Sequence, residues 1–338
     1  MARLAHIILR NGAIGFALIA CLACGGDGGS DGDSTDVAGG GISGTGISSG
    51  PITDFGSIWV NDVEFDVSTA AITVNGATAS EVDLRIGQVV TVVFTRDTAT
   101  GGAIANSVTY ARDLAGPVED IDLTDRRVRV LGQWIAADRL LAASDDDQPD
   151  VEIDLENLSS DDLLEISGQF DADGVLHATR IERKGHSGRQ EVEVKGRIQS
   201  LNMAQTTFAI RDLMVNYHAV MIPHMLMEGA LVEVKGFVET GGTVLATEVT
   251  VKDDPSPVAG SPAGTEVEID GFITEFHRFA SHGELTVDQQ RVRTTASTKF
   301  KGEATANGDR LGLNVRVEIE GILGDDGVVI ATVIELDD

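Results

Sequence analysis

One stretch, Leu231 to Val249 (LVEVKGFVETGGTVLATEV), constrains the fold more than any other, because the chain writes it four times with variations. Val232, Val234 and Gly236 alternate, Ala246 follows ten residues after the glycine, and Val249 three after that. Gly168, Ala178 and Ile181 keep the same spacing, as do Gly321, Ala331 and Ile334. In the first copy Phe94 stands in the glycine's place, and Ala105 and Val108 keep the final three-residue step. Period-two alternation broken by a Gly/Asp-rich turn predicts two antiparallel strands joined by a hairpin.

Upstream of each such hairpin lies a second repeated pattern. Each copy opens on a glycine two residues before a β-branched one: Gly50-Pro51-Ile52, Gly116-Pro117-Val118, Gly196-Arg197-Ile198 and Gly271-Phe272-Ile273. A tight hairpin comes next, marked by Ile58, Val60 and Phe65 in the first copy. Val128, Val130 and Ile135 match them in the second, Phe208, Ile210 and Val215 in the third, and Leu285, Val287 and Val292 in the fourth. First to last is seven residues in every case. Each copy therefore offers about five short strands, with a longer connection between the third and fourth. That predicts an all-β chain of four tandem small five-stranded barrels of the oligonucleotide/oligosaccharide-binding (OB) type; a small β-sandwich is the alternative. The opening glycine permits a sharp bend where the first strand serves both sides of a barrel. The 39 glycines and an aromatic content of 4% agree with short strands and turns rather than long helices.

The run Gly50-Pro51-Ile52-Thr53-Asp54-Phe55-Gly56-Ser57-Ile58-Trp59-Val60-Asn61-Asp62-Val63-Glu64-Phe65 resembles the signature of a bacterial envelope family known as domain of unknown function 5666. The resemblance covers nearly all of residues 18–338 and is strongest in copies one and two. Asp62 departs from the glycine of that signature, although Asn-Asp also turns well. Members carry tandem copies behind a lipobox and a Gly/Ser tether and have no established activity. The resemblance thus implies location and architecture rather than chemistry.

The N-terminus agrees with that location. Arg3 and Arg10 form a positive start, and Ala13 to Ala20 with its flanks is a short apolar segment. Leu18-Ile19-Ala20-Cys21 resembles a bacterial lipobox, with Cys21 as the acylated residue and Cys24 as the competing acceptor. The organisation expected is a lipoprotein signal peptide over 1–20, a Gly/Ser/Asp-rich tether over 21–47, barrels over 48–113, 114–185 and 189–253, a Pro-rich linker over 254–263, and a last barrel over 264–338. Prolines 255, 257 and 262 are expected to hold that linker extended, and the short Asp113-Leu114-Ala115 junction suggests that copies one and two pack as a pair. The residue after Cys21 or Cys24 is Leu22 or Gly25, not the aspartate that commonly retains lipoproteins at the inner membrane. The expected place is therefore the cell envelope, lipid-anchored, at the outer membrane facing the periplasm or the surface.

Chemistry is sparse. With 25 Lys+Arg against 54 Asp+Glu the formal charge is −29, so phosphate backbones are repelled and nucleic acid is a poor partner. Both cysteines lie in the N-terminal segment, so the domains have no thiol nucleophile and no internal disulfide. No His-Glu-x-x-His helix occurs, and the abundant acidic pairs sit in turns. The expectation is a non-enzymatic binding or scaffold module that needs no cofactor, with an unidentified envelope protein or glycan as partner. Its alternative is a periplasmic copper-binding protein using the segment 214–227, where His218, Met221, His224 and Met225 gather soft thioethers and imidazoles. The competing structural reading makes those methionines a plug for the barrel bottom. Alternation places Trp59 and Trp134 on outer faces, where they serve either as a contact between copies one and two or as aromatic anchors for a ligand.

Overall fold

The computed structural model describes residues 45–338 apart from 98, 146–147, 153, 161, 187–190, 222–225, 253–255, 279–282, 303–309 and 337–338. Cys21 and Cys24 lie outside the described residues. The described chain is all-β, and its unit is clearest in the third segment, 192–251. There the opening strand Val192–Arg197 runs antiparallel to Leu231–Val238, which turns back into Val244–Val251. Val244–Val251 has Leu213–Asn216 as a parallel neighbour, Leu213–Asn216 pairs with Thr207–Ile210, and that strand pairs with Gln199–Asn202, which continues the opening strand. The ring is closed, with one parallel contact among five strands, and this is the OB order.

The second segment closes the same ring through Leu114–Asp122, Arg127–Val130, Gln133–Ala136, Leu176–His186 and Asp162–Phe170. The fourth does so through Glu266–Arg278, Gly283–Val287, Gln290–Arg293, Val329–Leu336 and Arg316–Leu323. The first segment keeps the order through Thr45–Pro51, Ile58–Val60, Val63–Asp66, Ala103–Tyr110 and Val89–Arg96. Just beyond its opening strand, two backbone bonds reach Ile58–Val60, from Thr53 N–H to Trp59 O (2.9 Å) and from Trp59 N–H to Asp54 O (3.1 Å).

The repeated sequence features have local physical causes. All twelve hairpin residues spaced seven apart are buried in barrel cores, and each contributes about 1.5–3 kcal/mol by leaving water. The opening glycine makes room for the hairpin turn crossing it. A Cβ at Gly196 would lie 2.3 Å from Ile210 Cγ2, and one at Gly116 would lie 2.7 Å from Leu131 Cγ. The later glycine sits at a β-bulge opposite the repeated alanine, where the register shifts at Gly168, Gly236 and Gly321. A Cβ there would meet the carbonyl oxygen of the facing strand, at 2.2 Å for His177 and 2.3 Å for Leu245. Phe94, the exception, also sits at a bulge, and its ring points across to Gly46, its partner on the opening strand. In the third and fourth segments the corresponding pairs are Gly236 with Val192 and Gly321 with Val267. The first segment has therefore exchanged large and small across one pair, which preserves the core volume.

A leucine from the long connection is buried in the core of each segment: Leu84, Leu155 with Leu158, Leu226, and Leu311. This corrects the plug reading for Met221 and Met227, which are 94% and 65% exposed whereas Leu226 is buried; Met225 lies outside the described residues. The linker also departs from expectation. Its described part turns, with Ala259 N–H bonded to Ser256 O and Ser261 N–H to Val258 O, because Val258 folds into the fourth core.

Backbone ladders join the segments in an order the linkers do not suggest. Thr45–Pro51 pairs in parallel with Glu266–Arg278, uniting the first and fourth segments in one sheet, and Val192–Arg197 pairs with Leu114–Asp122, uniting second and third. The first and second touch through side chains instead. Thr179 Oγ1 donates to Gly87 O (2.5 Å) and the Val89 amide to Ser167 Oγ (2.9 Å).

Candidate functional site

Where the opening strands meet, a cavity of about 830 Å³ is walled by residues of all four segments. The first contributes Ser49, Thr91 and Thr109, the junction Asp113, and the second Gln133 and the stretch 169–174. The third contributes Lys195, Arg197 and Arg211, and the fourth Phe272, Asp288 and Gln289. Two repeated positions supply several of these. Ser49 and Lys195 immediately precede an opening glycine, so they point out of their own barrel and into the space between barrels. Arg211 and Asp288 both occupy the first residue of the tight-hairpin turn, each with positive φ (52° and 45°), a backbone state that tight hairpin turns favour.

Beside the cavity runs a network of buried charge. Tyr110 donates to Glu165 Oε1 (3.2 Å), and Arg112 links Glu165 (3.0 Å) to Glu193 (2.7 Å). Burial, then Glu165, drives the Tyr110 hydroxyl well above the usual phenol range. Burial pulls the Arg112 guanidinium down, but Glu193 and Glu165 outweigh it and hold the group charged. Lys195 Nζ bonds Asp113 Oδ1 (3.1 Å) and Ala111 O (3.2 Å). Burial opposes its charge, yet Asp113 keeps its pKa above that of an ordinary lysine. Burial would raise Glu233, but Lys252 at 2.9 Å and the nearby Lys195 and Lys235 hold it below the usual carboxylate range.

Asp288 is hemmed in by protein yet keeps part of its surface on the cavity. Its Oδ2 accepts from Ser49 Oγ at 3.0 Å, and burial pushes its pKa up to about 6 against that bond. Arg211 donates to Asp173 O (2.7 Å), and Arg197 to Gln289 Oε1 (3.0 Å) and Gly229 O (3.2 Å), so both guanidinium groups span neighbouring elements. Gln133 is only 3% exposed, lines the cavity, and its Nε2 is a buried donor with no acceptor among the described residues.

The residues singled out from the sequence lie elsewhere. Trp59 and Trp134 are on outer faces and half-buried, paired across their hairpins with Glu64 and Arg129. Arg127 stacks on Trp134 at 4.9 Å from the ring centroid. Neither tryptophan lines the cavity. His218 is held by Asn216, its Nδ1 lying 3.0 Å from Oδ1, and Met221 projects into solvent. His224 and Met225 lie outside the described residues. Among the described residues no three His, Cys, Asp or Glu side chains form a group able to hold a metal. The letters Gly46-Ile47-Ser48-Ser49-Gly50 match the Gly-x-Ser-x-Gly spelling of a hydrolase elbow. Ser48, however, lies within the extended strand Thr45–Pro51, buried, and accepts from Asn61 Nδ2 at 3.0 Å.

Gln133, Asp113, Lys195 and Asp288 were not legible as site residues. Alternation marks Lys195 as outward, and outward normally means solvent. The signal available was positional: polar residues recur just before the opening glycine (Ser49, Lys195, Asp270) where Ala115 alone is apolar.

The family described as Domain of unknown function (DUF5666) matches the chain three times, over residues 115–182, 195–250 and 270–335. These are the second, third and fourth segments. The signature run Gly50–Phe65 falls in the one segment without a match, which is also the segment that exchanges glycine for Phe94. No curated protein matches the chain.

Proposed function

Since the chain belongs to this family of domains of unknown function, we propose that it is a lipid-anchored cell-envelope protein of four tandem five-stranded barrels, a non-enzymatic binding or scaffold module whose ligand site is the shared cavity. The observation that carries this reading is the cavity itself: about 830 Å³, within the usual range of small-ligand sites, and built from every segment. A chain of independent beads would have no reason to converge polar side chains on one space. The anchor is supported by the Leu18–Cys21 lipobox and the glycine-rich stretch after it, and the outer membrane by Leu22 following the cysteine. The acidity of the chain supports a partner other than nucleic acid.

Two measurements test this. Mass spectrometry of the mature N-terminus is expected to find acyl groups on Cys21; an unmodified Cys21 in membrane-bound protein refutes the anchor, and acylated Cys24 moves it by three residues. Capture of a partner from native envelopes is expected to be lost when the cavity is filled by Thr109→Trp, on an exposed wall position. Undiminished capture by that variant sinks the cavity as the binding site.

A second reading, copper(I) binding, is favoured by one observation: Met203, Met214, Met221 and Met227 are all exposed on the third segment instead of packing its core. Stoichiometric copper(I) uptake by the tag-free protein supports it, and none excludes it.

A further inference from the structure

We propose that the cavity takes an uncharged, hydroxyl-rich ligand, a short oligosaccharide, with Gln133 donating to it and Asp288 accepting from it. The inference rests on the cavity being the ligand site. It begins from two unanswered groups on the same wall. Gln133 Nε2 is a buried donor without an acceptor among the described residues and without surface on the cavity, so its side chain has to turn to meet a ligand; native proteins seldom leave such a donor uncompensated. Asp288 uses Oδ2 on Ser49, and its other oxygen takes no hydrogen bond among the described residues. A ligand that meets both must offer an acceptor and a donor. A hydroxyl is both at once, and it satisfies the Gln133 amide whichever way that amide is turned.

Charge argues against an ionic ligand. The cavity's strongest charges are matched internally, Lys195 by Asp113 and Lys252 by Glu233. Arg197 and Arg211 are engaged by carbonyl and amide oxygens of adjoining elements. A carboxylate or phosphate entering here would face Asp171, Asp173, Glu275 and Asp288, two more carboxylates than the two guanidinium groups of Arg197 and Arg211, on the wall of a protein with formal charge −29. An apolar ligand fares no better, because it would cover Gln133 and Asp288 and leave both unpaired. Phe170, half-buried on the wall, offers the apolar patch that the C–H face of a pyranose packs against.

A peptide would seek a strand edge. The opening strands at the cavity have ladder partners on both sides: Thr45–Pro51 lies between Val89–Arg96 and Glu266–Arg278, and Val192–Arg197 between Leu231–Val238 and Leu114–Asp122. The sugar is therefore the better fit.

The test uses the full chain in a non-glycosidic detergent, titrated calorimetrically with maltotriose, cellotriose and tri-N-acetylchitotriose. Trigalacturonate and trialanine are the contrasting probes. At least one neutral trisaccharide is expected to bind. Gln133→Leu and Asp288→Asn should each weaken it about tenfold, the loss of one hydrogen bond at a desolvated site, without lowering the melting temperature. Trp134→Ala, on the outer face, should leave it unchanged. Three results overturn the proposal: no neutral trisaccharide binds, binding is indifferent to both cavity variants, or trigalacturonate or trialanine binds more tightly. If the sugars fail but Thr109→Trp still abolishes partner capture, the ligand class falls and the cavity reading stands. If capture is also unaffected, both fall.

Discussion

Replacing Glu268 by glutamine should stabilise the junction between the first and fourth segments at pH 8 and do little at pH 4.5. Glu268 sits opposite Ser48 in the parallel ladder that joins Thr45–Pro51 to Glu266–Arg278, and opposite Glu320 on the other side. It is 6% exposed, and its Oε2 has no hydrogen-bond partner among the described residues. Its cation, Arg96, lies 3.2 Å from Oε1 but is shared with Glu266 at 2.7 Å. Burial pushes its pKa from 4.5 to about 7; Arg96 opposes this most, while Glu266 and Glu318 add to it.

Because the folded pKa exceeds the unfolded one, the folded state binds the extra proton between those values. Stability from this group is complete below about pH 4.5 and is lost as pH rises through 7. At about 1.4 kcal/mol per pH unit the full loss is about 3 kcal/mol, an upper bound because the pair with Arg96 is partly solvated. Glutamine does not titrate and resembles the protonated acid, so the variant should escape that loss. Amide exchange of Thr45–Pro51, followed by mass spectrometry at pH 5 and pH 8 after correction for intrinsic rates, reads the junction directly. The variant should exchange up to about a hundredfold more slowly than the parent at pH 8 and nearly equally at pH 5. A variant that exchanges faster at pH 8, or by the same ratio at both pH values, refutes the reasoning: attraction to Arg96 would then outweigh the cost of burying the carboxylate.

Two further outcomes follow from the glycines. Gly168→Ala places a Cβ 2.2 Å from the His177 carbonyl oxygen, so it should cost about 1–3 kcal/mol in urea unfolding; no loss would mean the bulge can relax. Gly46→Val alone should destabilise the first segment, since a Cβ there lies 2.3 Å from the Phe94 ring. Combining it with Phe94→Gly recreates the Val192–Gly236 arrangement and should recover at least half the loss, and no recovery in the double variant refutes the exchange of large for small.

The barrels were legible because their signals are local. Hairpin alternation, the seven-residue spacing and the glycine-to-alanine step each report contacts made within a few tens of residues, and these recur as buried anchors and bulged ladders. The assembly was not legible, because its contacts are distant. Ser48 meets Glu268, and Asn75 Nδ2 reaches Glu165 at 3.4 Å, across 90 positions of sequence. A linker's shortness sets which segments are close in sequence, not which share a ladder. The short junction between the first two segments suggested a pair, and they do touch through Thr179, Ser167 and Glu165, while the parallel ladder joins the first to the fourth.

The same cause explains why the cavity escaped notice. Period-two alternation sorts side chains into those facing a barrel's own core and those facing away, and it assigns the second class to water. Once barrels pack about a common space, that class divides again. Trp59 and Trp134 stay on the periphery, whereas Lys195 and Ser49, equally outward in register, become cavity wall. What distinguishes them is position along the strand: the residue before the opening glycine lies where the strand bends and the hairpin turn crosses it, so it faces whichever segment docks there. Chemistry on a repeat of this kind should therefore be sought first at the opening-glycine and turn positions, where Ser49, Lys195, Arg211 and Asp288 differ from copy to copy while the barrel around them does not.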